Sequence, residues 1–464
     1  MYLNCHTGFS FKYGTLPIKK LFEEAKRCGI HKLALTEINN VSSYLEMLRI
    51  CDENKPVVTQ DFESPPNGLT KFGKIPYDLD IAVGIEFRSE ENELLYLIIA
   101  KNNQGFEKLN RFLSFHNREE KKFPTRAPEI ENTFIIYPFR KIEPEQLLAH
   151  EFIGVRSHEL TAFAANPSRK DYIHKFVALH SVTFLPPEKV EDKKTKKAKI
   201  VYRDHNTHRL LRSIANNTLL SKLPEHQQAR KEEFMLTESE LQKEFDDFPE
   251  LFVKAKELLN QCSIKCELGV DKNRKSFFRS VEEDSIYLRE KALEGYKKIY
   301  EKDDPDHIIW NDRIEKELAI IAKKEFTSYY LITYDLINFA KNQGYDFVGR
   351  GSGANSTVAY CLGITNVDPI ELDLYFERFL NEERVSPPDF DIDFSWDNRD
   401  AIYDYLFKKY GTDHVCLLGT HVTYQAKSII RELAKVFGLP KEEIDALVEG
   451  RHDDKVNAIT SHKK

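Results

Sequence analysis

A cysteine framework, a long apolar run and a basic excess are all missing from this chain, and each absence removes a class of protein. The seven cysteines are scattered, and the close pair Cys262 and Cys266 has no histidine or cysteine partners at zinc-ligand spacing. That excludes a disulfide scaffold and leaves reduced thiols. No run approaches the roughly 20 apolar residues of a membrane helix. Met1-Tyr2-Leu3-Asn4-Cys5-His6 is not a charged segment leading into an apolar core. Lys and Arg number 68 against 75 Asp and Glu, a formal charge of −7. A uniformly basic coat is therefore excluded, and any nucleic-acid contact has to be local. Neither an internal repeat nor a low-complexity segment is present. What remains reads as a soluble cytoplasmic chain with no membrane partner. It is 41% hydrophobic and, at 464 residues, long enough for two or three domains.

Against this background one stretch stands out, Pro388-Asp389-Phe390-Asp391-Ile392-Asp393-Phe394. In an extended strand Asp389, Asp391 and Asp393 project on one face while Phe390, Ile392 and Phe394 anchor the other. Carboxylates this crowded repel one another unless a cation sits between them, and hard oxygen ligands favour Mg²⁺, or Mn²⁺, over zinc. Two such ions can clamp both oxygens of an in-line phosphoryl displacement. Earlier in the chain lies Gly349-Arg350-Gly351-Ser352-Gly353-Ala354. Tyr345 to Val348 reads as a strand and Ser356 to Cys361 as a helix start, which puts the glycines on a strand-to-helix turn. Free backbone N–H groups, a helix dipole and the Arg350 guanidinium would there form a polyphosphate site. Taken singly, a glycine-rich turn is also a plain tight turn, and alternating Asp also occurs in calcium loops and glycosyltransferases.

Taken in order, GRGSGANSTVAYCLGIT, DPIELDLYFERFLNEERVSPPDFDIDF and WDNRDAIYDYLFKKYG resemble the palm of the bacterial C-family replicative polymerases, the DNA polymerase III α subunits. The resemblance implies a mixed α+β nucleotidyltransferase palm of the polymerase β-like type. In it Asp391 and Asp393 are the catalytic metal ligands, and Gly349, Arg350, Gly351 and Ser352 contact the incoming triphosphate. Asp389 is then structural. It implies Mg²⁺ as cofactor, primer-template DNA and deoxynucleoside triphosphates as substrates, and a sliding clamp and a proofreading exonuclease as partners. The family has Gly-Pro-Gly before the Arg-Gly-Ser where this chain has only Gly349, so a shorter turn is expected. A third carboxylate lies further along in the family, beyond Lys464, so these residues are expected to be the start of a longer polymerase and inactive alone. Glu432 and Glu442 sit in predicted helices and do not replace it.

The first 180 residues alternate helices with apolar strands, at Lys32 to Thr36, Ile81 to Phe87, Leu94 to Ala100, Phe134 to Tyr137, Phe152 to Val155 and Phe176 to Leu179. This alternation implies a parallel sheet or an α/β barrel with its chemistry at the C-terminal strand ends. The segment resembles the PHP domain that opens the same polymerase family, an α/β barrel that in active versions is a metal-dependent phosphoesterase. Its ligand motifs are eroded here. His-x-His has become Asn4-Cys5-His6, Thr-Asp-His has become Thr36-Glu37-Ile38, and the late Asp-x-His has become Ser181 and Thr183. Only His6, Glu37 and Glu86 could still ligate, because an alkyl group such as Ile38 offers no lone pair. The reading is a degenerate, structural domain with a vestigial metal site.

The expected division is a PHP-like domain over 1–269, a partial palm over 270–421 and the start of a thumb over 422–464. Glu188 to Lys199 is a mixed-charge run that reads as a solvated loop, with nucleic-acid or partner contact as the alternative. Helices are expected at Ser285 to Tyr300, Asn311 to Lys324 with Asn311 as cap, Tyr330 to Asn342, Asp397 to Tyr410 and Thr423 to Phe437, and a strand at His414 to Leu418. Lys427 and Arg431 share one face of the last helix, where a phosphate-backbone contact and a plain solvated face are equal readings. Two other functions stay in view, while a third, a metal-dependent phosphoesterase acting through the N-terminal domain, is weakened by the missing ligands. One is a family-X-type nucleotidyltransferase, disfavoured by chain order because there the PHP domain follows the polymerase core. The other is an interaction scaffold built on the degenerate barrel.

Overall fold

The computed structural model describes residues 2–55, 76–191, 198–270, 272–299, 307–381, 383–384 and 388–449. It forms two compact units, Met1–Leu268 with Thr423–Lys464, and Gly269–Val422. The end of the expected thumb segment, residues 450–464, lies outside the described residues.

The first unit is built on eight strands: β1 (Tyr2–Cys5), β2 (Lys32–Ile38), β3 (Asp80–Arg88), β4 (Leu94–Ala100), β5 (Thr133–Pro138), β6 (Glu151–Val155), β7 (Phe176–Ala178) and β8 (Ser181–Val182). They form one sheet in the order β7-β6-β5-β4-β3-β2-β1-β8, curled as a half-barrel. It is mixed, with β4 antiparallel to both β3 and β5 and every other neighbour parallel. The reason for the first reversal is local: residues 89–93 are too few for a crossover, so β3 and β4 have to be a hairpin. Strands buried on both faces, such as Leu95 to Ala100, need apolar side chains on both, as the sequence supplies. The helix Ile18–Cys28 lays Ile18, Leu21, Phe22 and Ala25 on the sheet and stops at Gly29, which takes the left-handed conformation at φ 68°.

The charged run after this sheet forms part of a hairpin, β9 (Glu188–Glu191) with β10 (Ala198–Val201), largely exposed; residues 192–197 lie outside the described residues.

In the second unit three helices, Val281–Ile299, His307–Lys323 and Thr327–Gln343, share a core around Leu288, Trp310, Ile314, Tyr330 and Leu331. Against it pack the inner side chains of a two-stranded ribbon, β11 (Phe347–Arg350) and β12 (Asp391–Phe394). A lone ribbon is marginal in water, so this backing is what makes it stable. The expected boundaries shift for identifiable reasons. Asn311 lies inside its helix, which starts at His307. The strand expected from Tyr345 starts at Phe347, because Gly344 is left-handed and the Tyr345 N–H closes the preceding helix on the Ala340 carbonyl at 2.9 Å. His414 to Leu418 is irregular and exposed, since among the described residues no strand pairs with it.

Candidate active site and a second acid cluster

The antiparallel register pairs Arg350 with Asp391 and Val348 with Asp393. Asp391 and Asp393, two residues apart, share the outer face and are 46% and 59% exposed at their side chains, while Ile392 and Phe394 pack inward. Arg350 lies across both carboxylates: its Nε donates to Asp393 Oδ2 at 2.6 Å, and its Nη1 is 3.6 Å from Asp391 Oδ2. Two positions require glycine. Gly351 has φ +73°, and a Cβ there would sit 2.7 Å from Asp391 Oδ2; a Cβ on Gly349 would sit 2.1 Å from the Ile364 carbonyl oxygen. The turn and the acid strand thus approach more closely than side chains would allow. Asp389 falls before β12 and faces Arg384, with Oδ1 at 3.3 Å from Nη2.

The donor set suits a hard divalent cation: two same-face oxygens, exposed and ionisable, with no sulfur or imidazole. Among the described residues no third acid, histidine or cysteine joins them in a metal-binding group.

One expectation about this site is corrected. The helix after the turn, Thr357–Cys361, has no free N–H groups to offer a phosphate. Glu317, fully buried, accepts from Thr357 N at 2.9 Å and Val358 N at 3.0 Å, and the Ser356 hydroxyl accepts from Ala359 N at 3.1 Å. Any phosphate contact therefore falls on Arg350 and on the short 3-10 turn Gly351–Asn355. Glu317 and its neighbour Arg313 were missed by the sequence reading. The signal was available, since Glu317 interrupts the buried stripe Trp310, Ile314 and Ile321, where an acid without a partner is costly.

In the first unit the C-terminal ends of β1, β2, β3 and β8 bring the eroded ligand positions together. Glu86 Oε2 accepts from Asn4 Nδ2 at 2.6 Å and lies 3.1 Å from His6 Nε2, while its Oε1 is held by the Arg88 guanidinium. Arg88 also donates to Tyr13 Oη at 3.0 Å and to Asn92 Oδ1 at 3.2 Å. Burial pushes the Glu86 carboxyl up, but Arg88 and His6 outweigh it and hold the group well below the usual carboxylate range. His6 Nδ1 faces Thr183 Oγ1 at 3.1 Å, and Asn4 joins Ser181 Oγ and Thr36 Oγ1. Glu37 accepts from the Thr7 N–H and hydroxyl and from the hydroxyls of Ser10 and Ser43. All four carboxylate oxygens of Glu37 and Glu86 thus have protein donors. The guanidinium of Arg88 stands where a bound cation would neutralise Glu86, so these residues do not fit a metal.

Comparison with known proteins agrees with both halves. Residues 3–158 match the PHP domain, and residues 286–464 match the bacterial DNA polymerase III alpha NTPase domain. The chain is 28% identical to DNA polymerase III subunit alpha of Pseudomonas aeruginosa over 94% of its own length and 38% of that protein's. To the error-prone DNA polymerase of Hahella chejuensis it is 25% identical, over 96% of this chain and 42% of that one. A shorter stretch is 47% identical to the error-prone DNA polymerase of Pseudomonas syringae, covering 30% of this chain and 13% of that one. Fold and site together define a PHP domain joined to a polymerase NTPase domain. The chain carries both of these domains, and most of its length is similar to proteins named DNA polymerase III subunit alpha. It spans about two-fifths of the length of the relatives that it matches end to end.

Proposed function

We propose that the chain is the palm-bearing part of a DNA-directed DNA polymerase that adds deoxynucleotides to a primer, with Asp391 and Asp393 as ligands to Mg²⁺. The observation that carries this reading is the β11–β12 register, which sets two exposed carboxylates beside Arg350 and a glycine turn with no room for side chains. Bound divalent ions supply charge stabilisation to the transferring phosphoryl group. The chain's own contribution is to hold the two carboxylates on one rigid face and to bring Arg350, Gly349, Gly351 and Ser352 against the triphosphate. Arg350, 59% exposed, is free to exchange a carboxylate for a phosphate, its better bidentate partner. Residues 1–269 form the PHP-like domain, 270–421 the partial palm and 422–464 the start of the thumb in this reading. The family resemblance adds primer-template DNA, a sliding clamp and a proofreading exonuclease as partners, and a cytoplasmic location. Among the described residues no helix is long and apolar enough to cross a membrane.

The test is primer extension by the polymerase that carries this sequence, with Mg²⁺ and four deoxynucleotides. Template-dependent extension lost in Asp391→Asn is expected, and full extension by that variant would refute the assignment.

A further inference from the structure

Beneath the glycine turn lies a buried polar network that the sequence reading did not foresee. The Glu317 carboxylate, 0% exposed, receives four donors: Ser356 Oγ at 2.8 Å, Thr357 N at 2.9 Å, Val358 N at 3.0 Å and Arg313 Nε at 3.3 Å. Because the Ser356 hydrogen goes to Glu317, the Tyr330 hydroxyl, 3.2 Å from Ser356 Oγ, is the donor of that bond. The Tyr330 ring meets Phe390 edge-on, with centroids 5.0 Å apart, and Phe390 directly precedes Asp391. On the other side Arg313 Nη2 donates to the carbonyls of Asn355, at 3.0 Å, and Leu374, at 2.5 Å. The Asn355 amide in turn donates to the Ser352 carbonyl at 2.8 Å. The glycine turn therefore hangs from hydrogen bonds rooted in the helix His307–Lys323, and Tyr330, from the helix Thr327–Gln343, links the same network to the residue before the acid strand by a ring contact.

We propose that Glu317 and Arg313 are positioning residues for nucleotide binding, holding the turn Gly351–Asn355 at a fixed height over Asp391 and Asp393. The inference rests on the reading of that turn as the triphosphate cradle. A buried ion pair is rarely retained for stability alone, because apolar residues of the same volume serve as well or better. Here most of its hydrogen bonds go to Asn355, Ser356, Thr357 and Val358, where that turn ends and the next helix begins, and one goes to the Leu374 carbonyl. Burial pushes the Glu317 carboxyl up, but the groups facing it are placed as donors, which an acceptor-only carboxylate satisfies best. Arg313 cancels that charge beneath a turn that has to receive an anion. Gln in place of Glu317 would set an amide N–H₂ against N–H donors and push the turn away.

The test uses the 464-residue chain, titrated with dATP in Mg²⁺ by saturation-transfer NMR and with Mn²⁺ alone by water-proton relaxation. Glu317→Gln and Arg313→Met are each expected to weaken dATP binding about tenfold, the usual size of a supporting-contact loss. Mn²⁺ affinity and the circular dichroism spectrum should stay unchanged. Arg313 is partly exposed, so its variant carries the test if Glu317→Gln does not fold. Unchanged dATP affinity in a folded variant overturns the proposal, and so does an equal loss of dATP and Mn²⁺ binding, which would mark a general structural role. Arg350→Ala separates the two levels. If wild type binds no dATP, or if Arg350→Ala binds it undiminished, the cradle reading fails and takes this inference with it. If Arg350→Ala loses binding while Glu317→Gln and Arg313→Met retain it, the positioning role alone fails.

Discussion

The two acid clusters start from similar chemistry and end in opposite states. Glu37 and Glu86 are 1% and 0% exposed, and each of their oxygens is held by a protein donor. Asp391 and Asp393 are about half exposed, and one exposed guanidinium is shared between them. The arginines differ in the same way. Arg88 is 10% exposed and fixed among Glu86, Tyr13 and Asn92, whereas Arg350 is 59% exposed on an outer face. A carboxylate taken out of water has to be neutralised by the protein itself. One left at the surface keeps its charge through solvent and remains available to an external cation. On the function proposed above, the first cluster acts on stability and the second on ligand binding.

The sharpest way to break this comparison is to remove one acid from each cluster. In the polymerase carrying this sequence, Asp393→Asn should lower nucleotide addition by roughly a thousandfold. Urea unfolding of the same variant should stay near wild type, as exposed substitutions usually do. A large stability loss with extension intact would invert the assignment of roles.

Next in size is Arg88→Ala, which strands Glu86 in the interior and should cost about 3 kcal/mol of stability. Its unfolding midpoint in urea is the measurement, and a midpoint equal to wild type would mean that His6 and Asn4 suffice without Arg88.

A smaller, graded effect should follow pH. His208 accepts from Ala229 N at Nε2 (2.8 Å) and sits 2.7 Å from the Tyr13 carbonyl at Nδ1, so the neutral ring fits and the imidazolium does not. Burial pushes its pKa down to about 3 from 6.5, with His205, Arg212 and Arg88 adding to the effect. The unfolded chain therefore binds the proton more readily, and the stability due to His208, present in full above pH 6.5, drains away from there down to about pH 3. Urea melts at pH 7 and pH 5 should show this slope, flattened in His208→Gln; an equal slope in that variant would place the titration elsewhere. The smallest expected effect is that of chelation. EDTA, or added Zn²⁺ or Mn²⁺, should leave the unfolding of the PHP-like domain unmoved, because Arg88 already supplies the cation. Tightly held stoichiometric metal in purified protein would break the comparison outright.

What the sequence determined by itself is what repeats over a few residues. Alternation of Asp with Phe and Ile put Asp391 and Asp393 on one face. Helical spacing located most of the helices and apolar runs most of the strands, while Ile38 and Thr183, set against the PHP resemblance, led to the reading of that site as degenerate. Arg88, two residues from Glu86 on β3 and thus on the same face, was legible in principle. Tertiary structure decided which group neutralises which. Glu317 reaches the first turn of a helix that begins forty residues later, and that contact withdrew the N–H groups that the turn had been expected to offer. The same holds for strands: His414 to Leu418 has a strand-like pattern but lacks a partner edge among the described residues. Periodicity follows from backbone geometry and is therefore written locally. Pairing depends on which distant segments the fold brings within hydrogen-bond reach, and no spacing along the chain encodes that distance.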